Sequence, residues 1–123
     1  MPYIDGFVAA VPDGNRDAFV AYAKRTWPLF QDLGAIAQWE CWGDQVPDGE
    51  VTSFGKAVQA KEGETVALSW VVWPDQATRD AAWDKMMSDP EMGEKMGEMP
   101  FDGKRMIYGG FAPVVMEGAA MQA

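Results

Sequence analysis

The run VALSWVVW, residues 66 to 73, is apolar on both sides of any strand it forms. Successive strand side chains point to opposite faces, so Val66, Leu68, Trp70 and Val72 share one face and Ala67, Ser69, Val71 and Trp73 the other. A sheet with one wet face shows polar–apolar alternation instead. The segments read as strands at 3–11, 35–42 and 106–115 are also apolar on both sides, with polar interruptions. Any sheet built from them therefore needs cover on two faces.

Few elements are left to supply that cover. NRDAFVAYAKRTWPLFQDLG (15–34) spaces Phe19, Tyr22, Ala23, Thr26, Phe30 and Leu33 as one helical stripe, with Gly34 closing it. Pro28 removes one backbone donor, which predicts a kink near Lys24. Asp75 is an N-cap for a second helix, QATRDAAWDKMM. Ser88-Asp89-Pro90 ends it and starts a short third helix, with Asp89 as cap and Pro90 at the first helical position. FGKAVQAK (54–61) and ETVALSWVVW (64–73) read as a hairpin around Glu62-Gly63. Residues 54–61 are either an added strand or a continuation of strand 35–42 beyond a bulge. KRMIYGGFAPVV (104–115) is the last strand, where Gly109-Gly110 marks a bulge or a close backbone approach.

The resulting order predicts an α+β, ferredoxin-like fold: an antiparallel sheet with two main helices on one face. The second face then falls to another copy of the chain, packed sheet against sheet as a homodimer. Residues 1–116 are read as one domain and EGAAMQA (117–123) as a disordered tail.

Composition narrows the chemistry. Histidine is absent from the 123 residues, which excludes Ser-His-Asp and Cys-His catalysis and His-ligated zinc. Cys41 is the only cysteine, so no intrachain disulfide and no Cys₄ site is possible. A net charge of −9 opposes binding to nucleic-acid phosphates. No leader-like or bilayer-length apolar run is seen, and the chain is expected to be soluble and cytoplasmic, with no membrane partner.

The segments YIDGFVAAVP, ECWGDQVPDGEVTSF, SWVVWP, RDAAWDKMMSDPEM and MPFDGKRMIYGGF together resemble the YbaA-like family of small bacterial proteins, a domain of unknown function. The resemblance spans roughly residues 3 to 112. It implies the dimeric α/β-barrel, ferredoxin-like superfamily, where cofactor-free monooxygenases and many small-molecule-binding proteins also occur. It brings no catalytic residues to carry over.

Candidate residues therefore come from the sequence itself. Gln38, Glu40 and Trp42 share a strand face. A carboxylate held among aromatic groups in a cavity has a raised pKa and suits a general base, although a solvated or ion-paired Glu is the plainer alternative. Asp5, inside an apolar strand, needs a partner, and Arg105, Lys104 or Tyr108 supplies one if the end strands adjoin. The expected site has Glu40 as base, Arg105 and Tyr108 stabilising negative charge, and Asp5, Trp42, Trp70 and Lys104 contacting a small molecule, without cofactor or metal. Such a pocket serves either an enzyme or a noncatalytic binding module.

Six of the nine methionines fall between residues 86 and 106. Packing is the first reading of this segment and a mobile lid over the pocket the second. Cu(I) held by the thioethers of Met92, Met96 and Met99 is a distant third.

Overall fold

The computed structural model describes residues 1–118. Strand β1 (Tyr3–Pro12) leads through a single 3₁₀ turn to helix α1 (Arg16–Asp32). Strand β2 (Ala37–Trp42) follows, then a long excursion carrying the one-turn helix α2 (Phe54–Ala57). Strand β3 (Glu64–Trp73), helices α3 (Gln76–Ser88) and α4 (Met92–Met96), and strand β4 (Ile107–Phe111) complete the chain. The sheet is antiparallel throughout, in the order β2-β3-β1-β4. This is the ferredoxin-like arrangement, with two strands between the two principal helices. From residue 119 on, the tail read at 117–123 lies outside the described residues.

Residues 54–61 do not form a strand, whether added or continuous with β2. The Ser53 side chain caps α2 by accepting from the Lys56 N–H at 3.0 Å, and Gln59 has a φ of 52°, which no extended strand tolerates. The hairpin around Glu62-Gly63 is absent accordingly; Gly63 (φ 81°) turns the chain into β3, whose partners are β1 and β2. The third helix also starts later than expected. Asp89 Oδ1 accepts from the Glu91 N–H in a turn that holds Pro90, and α4 begins at Met92. Asp75 caps α3 as expected, accepting from the Thr78 N–H at 2.7 Å.

Gly34 ends α1 as anticipated. Its N–H reaches the Gln31 carbonyl and the Ala35 N–H reaches that of Phe30, a Schellman closure that needs the positive φ of 110° found at Gly34. The Gly109-Gly110 pair is a site of close approach. Tyr3 and Arg79 crowd one side of Gly110, and the Phe111 ring lies against Gly109 and Gly6 on the other side of the sheet.

Cross-strand register divides the sheet into two faces. Asp5, Phe7, Ala9, Val11, Gln38, Glu40, Trp42, Ser69, Val71, Trp73 and Tyr108 point toward the helices. Core packing gathers there around Ala9, Val11, Phe19 and Ala67 at one end and Ala35, Val71, Trp73 and Ala82 at the other.

The opposite face presents Ile4, Gly6, Val8, Ala37, Trp39, Cys41, Leu68, Trp70, Val72, Ile107, Gly109 and Phe111; the charged residue on it, Glu64 at the start of β3, is paired with Arg105 at 2.7 Å. Trp39 and Trp70 stack on it with centroids 5.7 Å apart, while Leu68 and Phe111 remain 39% and 62% exposed. Among the described residues, no helix is long and apolar enough to cross a membrane.

Candidate functional site

Between the helix-side face of the sheet and the helices lies a cavity of about 560 Å³. All four strands contribute to its floor: Phe7 and Ala9 from β1, Glu40 from β2, Ser69 and Val71 from β3, and Tyr108 from β4. One wall is the stripe of α1 that carries Phe19, Tyr22, Ala23, Thr26 and Phe30. The roof comes from Trp83, Met86 and Met87 of α3, Met92 and Met96 of α4, and Met99, Phe101 and Met106 beyond. All six methionines of the 86–106 cluster thus line this one space. Thioether side chains are flexible and polarisable, so they suit a wall that adapts to what it encloses.

Glu40 is the polar feature of the floor. Glu40 is exposed at the edge of the sheet and borders both this cavity and a groove beside α1 that carries Trp39, Trp42 and Trp70. Desolvation raises its pKa above the usual carboxylate value, and the Ser69 hydroxyl, directly across the β2–β3 ladder, offsets part of the rise. The neighbouring Tyr22 phenol is raised as well, first by its own burial and then by the charge on Glu40. Glu40 and Tyr22 therefore place two polar groups among the apolar residues of this lining.

The structure brings together two of the residues expected from sequence, Glu40 and Tyr108. Tyr108 stands at the opposite edge of the sheet, 65% exposed and stacked between Phe7 and Trp83. The others lie elsewhere. Asp5 sits below the cavity, 2% exposed, and its partner is not Arg105, Lys104 or Tyr108. It accepts from Arg79 Nη2 at 2.7 Å, Trp73 Nε1 at 2.8 Å and Trp83 Nε1 at 2.9 Å. The end strands do adjoin, but Gly110 stands opposite Asp5 and leaves the space that the Arg79 side chain enters from α3.

Trp42 packs on Phe19 with Arg16 over its ring, outside the cavity lining. Trp70 belongs to the opposite sheet face. Lys104 lies in the turn before β4, its N–H donating to Asp102.

Arg105 is engaged elsewhere: its fork donates to both Glu64 oxygens at 2.7 Å and to the Gln59 carbonyl at 2.9 Å. Together with the Lys61 N–H, this holds the Glu64 carboxyl at about 2 instead of 4.5. A depressed carboxyl stabilises the fold fully above its unfolded pKa and progressively less as pH falls through the folded value. The pair should therefore lose its contribution as pH drops from 4.5 toward about 2. Glu64→Gln is expected to flatten the acid limb of stability in that window. Urea midpoints that fall in parallel for both proteins would show that the pair does not govern it.

Tyr22, Ser69, Thr26, Trp83 and Arg79 were not singled out in the sequence. Tyr22 and Thr26 look like ordinary core positions on an amphipathic helix. Arg79 offered one signal only, the requirement of Asp5 for a cation. No group of three or more His, Cys, Asp or Glu side chains able to hold a metal is present among the described residues.

The family model described as "Protein of unknown function (DUF1428)" matches residues 2–103. The chain is 53% identical over 117 residues to the uncharacterized protein YbaA of Escherichia coli strain K12, an alignment covering 95% of this chain and all of that protein. The same identity and coverage hold for the uncharacterized protein YbaA of Shigella flexneri. In three dimensions the chain is similar to a dimeric ferredoxin-like protein from an uncultured marine organism, with a TM-score of 0.52 over 96% of this chain and all of that one. At 14% identity this last likeness concerns the fold alone. Sequence identity over nearly the whole length and the family match together establish that this chain belongs to the DUF1428 family of proteins of unknown function.

Proposed function

We propose that this protein is a homodimeric small-molecule-binding module, each subunit enclosing a largely apolar ligand between sheet and helices. The observation that carries this reading is the cavity itself, its size within the range of small-ligand pockets and its walls apolar with a few convergent polar groups. Dimerisation rests on the apolar stretch of the open sheet face, since so extended an apolar surface is seldom left wet. The dimeric state of the ferredoxin-like neighbour is consistent with it.

Glu40 serves as the polar anchor in this reading. A raised carboxyl pKa means that ionised Glu40 opposes folding, and the penalty is fully present above the folded pKa. Glu40→Gln is therefore expected to raise the unfolding midpoint at neutral pH while weakening the binding of ligands that need the carboxylate. That trade of stability against function marks a site residue. A variant that loses stability at neutral pH would assign Glu40 a structural role instead.

A second reading, a cofactor-free enzyme with Glu40 as general base, is favoured by the same raised pKa and by the phenol of Tyr22 beside it. Ligands found by thermal shift separate the two readings: conversion of a hit to product, abolished in Glu40→Gln, supports the enzyme, and recovery of the hit unchanged supports the module. A panel that never shifts the melting temperature counts against both.

A further inference from the structure

Resting on the reading of the cavity as a ligand site, we infer that its ligand is an organic cation, an ammonium-type head on an aromatic or alkyl body. Glu40 contributes a carboxylate to the floor and forms no ion pair among the described residues, and no lysine or arginine lines the space. The nearby cations are already engaged or lie outside. Arg79 sits over Trp83, but Asp5 holds it at 2.7 Å. Lys95 is bound to Asp89 at 2.9 Å, which also takes that rim carboxylate out of play. Arg25 lies against Gly97, just past α4; Arg16, over the Trp42 ring, and Lys24 border a separate groove that Glu40 also touches. None of the three lines the cavity.

The surrounding walls suit the same charge. Phe7, Phe19, Tyr22, Phe30 and Phe101 present aromatic surface to the cavity, and ring faces carry partial negative charge that attracts cations. A neutral hydrocarbon seated here strips water from Glu40 and returns nothing for it. An anion meets the Glu40 charge with no cationic side chain to compensate, in a chain whose net charge of −9 already repels it. A cation restores to Glu40 what desolvation removes.

The test is calorimetric titration of the full-length protein at neutral pH with three probes of one shape and different charge. These are naphthylmethyltrimethylammonium, its uncharged isostere neopentylnaphthalene, and naphthylacetate. The cation is expected to bind at least about tenfold more tightly than the isostere, with the carboxylate weakest. Glu40→Gln should remove most of that preference, weakening the cation and strengthening the hydrocarbon, which then has no carboxylate to desolvate.

Equal binding of cation and isostere, or tightest binding of the carboxylate, overturns the cation inference while leaving the cavity a ligand site. A preference that survives intact in Glu40→Gln overturns it too. Failure of all three to bind or to shift the melting temperature removes the cavity reading itself.

Discussion

Asp5→Ala is expected to lower the unfolding free energy by about 3–5 kcal/mol, with a fall in melting temperature on the order of 10–20 °C. The carboxylate is 2% exposed and neutralises Arg79, while its oxygens also accept from both the Trp73 and Trp83 indoles. Its removal leaves Arg79 with the exposed Asp80 as its remaining partner and strands two indole N–H groups in an apolar setting, and unpaired buried donors carry the full cost of desolvation. The structural consequence should reach the cavity, because Trp83 is one of its walls. Urea denaturation measures the loss, and near-ultraviolet circular dichroism reports the tryptophans. A double variant, Asp5→Leu with Arg79→Leu, should be less damaged than the sum of its parts, since it removes charge and counter-charge together. A loss below about 1 kcal/mol in Asp5→Ala, the net worth of one ordinary hydrogen bond, would mean that this cluster does not organise the core.

For the homodimer proposed above, Leu68→Glu is expected to give a folded monomer, weakening self-association by at least about 1000-fold, or roughly 4 kcal/mol. Leu68 lies on the open, largely apolar sheet face and is 39% exposed in the single chain, so a glutamate there is tolerated by the monomer. In a sheet-to-sheet interface the same glutamate is buried without a partner. Analytical ultracentrifugation should give the wild type twice the 13.5 kDa chain mass and the variant the chain mass alone, with unchanged far-ultraviolet circular dichroism. A wild type that sediments as a monomer, or a variant that remains dimeric, removes the sheet-to-sheet dimer.

How much of this could be read from the residues depended on the range of the interaction. Gly34 as a helix stop, Asp75 as a cap and the apolar stripe from Phe19 to Phe30 are decided within one or two turns of chain, and the structure agrees with each. The hairpin reading of FGKAVQAK was misleading, because a side-chain cap at Ser53 and Lys56 Nζ bonds to the Gly49 and Glu50 carbonyls hold its first four residues in a helical turn. Strand periodicity in an eight-residue window does not reveal such local competition. The shared face of Gln38, Glu40 and Trp42 followed from the period of a strand, but whether that face met a cavity did not.

The sequence alone determined an antiparallel, ferredoxin-like sheet with strands apolar on both sides, one face for helices and one left over, since strand and helix periodicities are local and the faces follow from them; the place of residues 54–61 stayed open. Only the tertiary structure decided which groups meet. Asp5 pairs with Arg79 across 74 residues, Arg105 turns to Glu64 across 41, and the methionines of 86–106 line a cavity while Met86 is buried and Met106 packs on the Ala9–Val11–Phe19 cluster. Long, charged side chains choose partners by three-dimensional reach, and a cavity is a property of how elements fail to close against one another. Neither leaves a periodic trace along the chain.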